Sequence, residues 1–144
     1  MGLSFYQAIM FSPVENMPVR DIGQSEFDSV IEKSQNKLVV VEFYTETCPN
    51  CAAMVPVYEE VAKNMSRDAD FFTVNASANQ ELALRFGVMG VPAFKFFCNG
   101  KEVAGTVGET NVTALTNTVK DLVKYGTQCI SKSTILKYEM DGYG

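Results

Sequence analysis

The chain has 144 residues, a formal net charge of −5 and 47% hydrophobic side chains. That length supports one domain with a real hydrophobic core, and the acidic balance, with no Lys/Arg run, argues against a partner bound through a phosphate backbone. Histidine is absent, which removes Cys-His nucleophile pairs and His-ligated metal sites.

Residues 1–16 carry Phe5, Tyr6, Ile9, Met10 and Phe11 at spacings a short helix can use, until Pro13 interrupts. They read as an N-terminal extension docked on the domain. The first cation, Arg20, follows this apolar stretch and no small-residue cleavage pattern is present, so the chain is expected to be non-secreted and cytoplasmic. Tyr6 stands where a myristoylation signal needs Ser or Thr, and no run is long enough to span a bilayer. Asn64, Asn75 and Asn111 head Asn-x-Ser/Thr triplets, which without a secretory signal read as chance.

The domain proper is expected over 17–125. Residues 17–22 suit an edge strand, and from Ser25 a helical pattern places Phe27, Val30 and Ile31 on one face. The run LVVVEFY at 38–44 is nearly all apolar, as in a central strand covered on both sides. Met54, Val55, Val57, Tyr58, Val61 and Ala62 then mark a helix over 49–65. A strand at 71–74 and a helix at 80–86, ended by Gly87, repeat the alternation. Residues 93–98 form a strand, Asn99-Gly100 a tight hairpin turn, and 101–107 the antiparallel mate. Asn111 caps a last helix bearing Val112, Leu115, Val119, Leu122 and Val123. Residues 126–144 are left as a C-terminal tail. Strand–helix alternation with a late hairpin predicts an α/β fold: a mixed central sheet flanked by helices on both faces.

Cys48 and Cys51 fall where the central strand turns into its helix. Free backbone N–H groups and the positive dipole end favour a Cys48 thiolate there, the form that attacks a disulfide sulfur. Cys51, one turn on, faces the same side, and Pro49 suits a first helical turn because its missing N–H would be unpaired anyway. A structural zinc site needs four ligands, and a second C-x-x-C or a histidine pair is lacking, so neither metal nor cofactor is expected. A purely structural disulfide would be unusual in a reducing cytosol, and so short a loop would constrain the unfolded chain little. Redox use of the pair is the preferred reading.

Glu42 stands where a buried strand wants another valine. Desolvation there favours the neutral acid, and a residue so placed is rarely a packing choice. It can serve as a buried proton acceptor for Cys51; alternatively its side chain reaches an edge or pairs with a lysine such as Lys63 or Lys95. The relay reading is preferred, because this strand delivers the chain to Cys48.

Residues 39–51, Pro56, the run FGVMGVPAF at 86–94, Asn99-Gly100 and Gly108 together resemble the thioredoxin family over roughly 19–124. The resemblance implies the thioredoxin fold and a thiol–disulfide oxidoreductase, with a cis Val91–Pro92 peptide facing the cysteines and client polypeptide pairing with the Val91 backbone. It also implies that Pro56 kinks the active-site helix. Departures from the family pattern are Thr47 for its tryptophan, Pro49-Asn50 for its Gly-Pro, Glu42 for its buried aspartate and Thr73 for its lysine, so the surroundings of the pair are retuned. The expected mechanism makes Cys48 the nucleophile, Cys51 the resolving thiol and Glu42 the proton relay. Val91, Pro92 and Met89, with Pro49 and Asn50, form the substrate-binding rim. Partners would be disulfide-containing client proteins and a thioredoxin-reductase-type electron donor, with no nucleic acid and no membrane.

Cys98 reads as a buried or half-buried small side chain ending its strand, and Cys129 as a tail residue, with a regulatory disulfide between them, or an intermolecular one, as the less favoured alternative. The alternative function is a redox-regulated adaptor docking partners through its terminal extensions, suggested by the apolar residues of 1–16 and by Ile135, Leu136 and Tyr138.

Overall fold

The computed structural model describes residues 18–34 and 37–124. The expected N-terminal extension and C-terminal tail, and Cys129 with them, lie outside the described residues. The elements run β1 (Val19–Asp21), α1 (Gln24–Lys33), β2 (Leu38–Tyr44), α2 (Pro49–Asn64), β3 (Ala69–Asn75), α3 (Gln80–Arg85), β4 (Ala93–Cys98), β5 (Lys101–Val107) and α4 (Val112–Lys124).

The five strands form one sheet in the order β1-β3-β2-β4-β5. β1 and β2 each run parallel to β3, whereas β4 is antiparallel to both β2 and β5. This is the expected mixed sheet, with β2 at its centre and β1 at an edge. The apolar run of β2 has a simple cause: its alternate residues supply two different cores. Leu38 and Val40 join Tyr58, Phe71, Phe94, Phe96, Leu115 and Val119 on the α2/α4 face. Val39, Val41 and Phe43 join Phe27, Ile31, Phe72, Val74, Leu82 and Phe97 on the α1/α3 face.

Local chemistry sets the ends of these elements. Asn99 and Gly100 both take positive φ, 53° and 81°, which a two-residue hairpin turn demands and which Asn and Gly tolerate best. The Ala114 N–H donates to Asn111 Oδ1 at 2.8 Å, capping α4 as its sequence implied. Tyr58 ties α2 to the sheet: its hydroxyl donates to the Phe72 carbonyl at 2.8 Å and lies 3.0 Å from that of Val40. Its ring packs against Phe71 and Phe94.

Candidate active site

Cys48 is the N-cap of α2, Pro49 opens the helix, and Pro56 lies within it. The Cys51 N–H donates to Cys48 Sγ at 3.1 Å, so one of the helix's unpaired first-turn donors is aimed at the sulfur. Both thiols are free; Cys48 is half-buried and Cys51 buried. Burial, reinforced by the hydrogen bond from Cys48 and by the charges of Cys48 and Glu42, pushes the Cys51 thiol up. The two thiols thus occupy unlike surroundings although they are one helical turn apart.

The loop before β4 approaches from the other side. Its Val91–Pro92 peptide is cis, and Cys48 Sγ lies 3.7 Å from the Val91 carbonyl oxygen. The Pro92 carbonyl accepts from the Gly108 N–H at 2.7 Å, fixing the loop to the end of β5. Pro49 and Asn50 are exposed beside the pair, whereas Met89 stands in solvent at 94% exposure. The structure therefore brings Val91 to Cys48 and leaves Met89 at the outer rim.

Glu42 is buried at 3% exposure. Desolvation alone pushes its carboxyl up to about 7. The lysine partners weighed for it are elsewhere. Lys95 pairs in register with Val41, on the opposite sheet face, and binds Glu102 at 2.8 Å; Lys63 is exposed on α2. Among the described residues Glu42 has no ion pair.

What Glu42 does share is a cleft of about 380 Å³, whose walls also include Cys48, Cys51, Val55, Asp21, Tyr44, Glu46 and Thr73. The last four were not singled out as site residues, although Thr73 was noted as a departure. Strand pairing, which the sequence does not show, gathers two of them: Asp21 pairs with Thr73, and Thr73 with Glu42, in one row across β1, β3 and β2. A larger hollow of about 540 Å³ between α1 and the β1 edge is lined by Arg20, Glu26 and Asp70 and contains no thiol.

A five-stranded mixed sheet, a C-x-x-C pair at a helix start and a cis-proline loop over it define a thioredoxin-fold dithiol protein. The thioredoxin family model matches residues 18–121, and the chain belongs to that family. Thioredoxin 1 of Plasmodium falciparum is 36% identical over 86 residues, 60% of this chain and 80% of that protein. A peptide-N(4)-(N-acetyl-beta-glucosaminyl)asparagine amidase of Caenorhabditis briggsae is 29% identical over 106 residues, 72% of this chain, but only 17% of that longer protein is spanned. Among solved structures, a mutant thioredoxin from Halobacterium salinarum superposes with a TM-score of 0.65 at 32% identity, covering 72% of this chain and 88% of that one.

Proposed function

We propose that the chain is a thiol–disulfide oxidoreductase that reduces protein disulfides by cycling Cys48 and Cys51 between dithiol and disulfide. One observation carries the reading. The half-buried Cys48 sulfur sits at a helix N-terminus beside the Val91 carbonyl, while the buried Cys51 and Glu42 share the cleft behind it.

The steps follow from that arrangement. Cys48 thiolate attacks one sulfur of a client disulfide laid along Val91 and Pro92, with Pro49, Asn50 and Met89 completing the rim. A Cys48–client bond forms, and the other client sulfur leaves as a thiolate. Cys51 gives its proton to Glu42 and attacks Cys48 Sγ. The Cys48–client bond breaks with the electron pair on the client sulfur, leaving reduced client and a Cys48–Cys51 disulfide. A carboxyl titrating near 7 is present in both forms at neutral pH, which suits it to accept and return that proton. Two electrons and two protons from a thioredoxin-reductase-type donor reset the pair, a cycle suited to a reducing compartment such as the cytoplasm.

Cys51→Ser tests the division of labour. With a disulfide-bonded test protein it should accumulate a Cys48 mixed disulfide detectable by mass spectrometry, and turnover should fall by roughly three orders of magnitude or more. Loss of trapping with full retention of turnover would refute these roles. The adaptor reading depends on residues outside those described, and deletion of 127–144 separates it: turnover should survive the deletion.

A further inference from the structure

Glu42 must both take a proton and lose it, yet only 3% of the residue is exposed. The cleft is its way out. At about 380 Å³ it has room for several water molecules, and its lining is polar enough to hold them. At the cleft mouth stands Asp21, two strands from Glu42 in the same cross-strand row and on the same sheet face. Asp21 is clamped rather than loose: Thr73 Oγ1 donates to its Oδ1 at 2.7 Å, and the Tyr44 hydroxyl donates to the same oxygen at 3.1 Å. Both donors are neutral hydroxyls, and none of the residues lining the cleft is basic.

We propose that Asp21, held by Tyr44 and Thr73, is a positioning residue that acts through Glu42, ordering the water of the cleft and passing the Glu42 proton to bulk solvent. The inference rests on the reading of Glu42 as the acceptor for Cys51. The proton balance is closed: it leaves Cys51 as the Cys51–Cys48 bond forms, rests on Glu42, crosses water to Asp21 and is released to solvent. The departing thiolate takes the electron pair, and no further redox reagent is needed.

The clamp suits the task. Burial, with the charge and hydrogen bond of Asp21, pushes the Tyr44 hydroxyl up to about 12, so it stays a donor throughout the working range. The other groups facing Glu42 can be named. They are Cys51 and Tyr58 from α2, Cys48 and Glu46 from the turn before it, Tyr44 from β2 itself, and Thr73 from β3. β4 offers only Phe94 at that level. Asp21 and Glu46 are therefore the carboxylates that share the cleft with Glu42, and among the described residues Asp21 is the one held by side-chain donors.

The test uses the full chain carrying Cys48 as a mixed disulfide with a chromophoric aromatic thiol, whose release reports attack by Cys51 across a pH series. With Asp21→Asn the plateau rate should fall roughly three- to tenfold, and added formate should restore part of it. Asp21→Glu should keep most of the rate, and Glu60→Gln, on the exposed face of α2, should change nothing. If Asp21→Asn keeps the full rate, or formate restores none of a lost one, while Glu42→Gln loses the pH midpoint, the role of Asp21 is overturned and that of Glu42 stands. If Glu42→Gln itself leaves the profile unchanged, the parent reading fails and this one with it.

Discussion

Two cross-strand rows lie next to each other on the α2/α4 face of the sheet. One runs Val19, Phe71, Val40, Phe96; the next, two residues on in each parallel strand, runs Asp21, Thr73, Glu42, Phe94. The first is sealed: Val40 and Phe96 are fully buried, and Phe71 packs against the Tyr58 ring. The second opens toward β1 into the cleft behind the cysteines. α2 begins at Pro49, and Cys51 and Ala52 of its first turn line that cleft. A step of two residues along the strands thus separates a row sealed in the core from one that lines the cleft, at the carboxyl ends of the parallel strands where open α/β sheets usually place their ligands.

The sealed row should fail by stability alone. Phe96→Ala removes a fully buried ring and should cost about 3–5 kcal/mol in chemical denaturation. Under native conditions it should leave the pH midpoint of the Cys51 step where it was; a moved midpoint would mean that the two rows are not separable.

The polar row should respond in the opposite sense. The raised carboxyl of Glu42 means that the folded state holds its proton more tightly than the unfolded one. Its contribution to stability is therefore full below the ordinary 4.5 and is lost as pH rises to about 7, a loss on the order of 3 kcal/mol. Glu42→Leu should stabilise the protein at weakly alkaline pH by that order, flatten this slope, and slow the Cys51 step by roughly 10²-fold. Denaturation curves at several pH values would check the slope. An unchanged slope would show that Glu42 is not the buried acid that governs it.

Smaller effects sharpen the contrast. Thr73→Val keeps the volume and removes one donor to Asp21; it should cost about 1 kcal/mol and lower the rate of the Cys51 step less than Asp21→Asn does. Arg85→Ala breaks a two-point pair with Asp28 at 2.8 Å and 3.2 Å, but both side chains are more than half exposed. It belongs to neither row and should change stability by only about 0.5 kcal/mol, with the thiol chemistry intact.

Much of this was legible in the chain itself. The continuous apolar run of β2 signalled cover on both faces, Asn99-Gly100 signalled the hairpin, and the C-x-x-C before a helical pattern placed both thiols at the helix start. Each is a local signal, fixed by residues near in sequence. Glu42 was legible as an anomaly and as a buried acid, but the lysine alternative stayed open, because a lysine on a neighbouring strand reads the same until register shows which face that lysine takes. Asp21, Tyr44 and Glu46 carried no signal at all, being ordinary polar residues at the ends of strands and in a turn.

The sequence by itself determined the elements, their alternation and the place of the C-x-x-C pair at a helix start, since helix capping, turn geometry and periodicity act over a few residues. Only the tertiary structure decided the row Asp21, Thr73 and Glu42. Its members lie on three strands, and the pairing that aligns them is set by burying the hydrophobic residues around them, to which the polar side chains themselves contribute nothing.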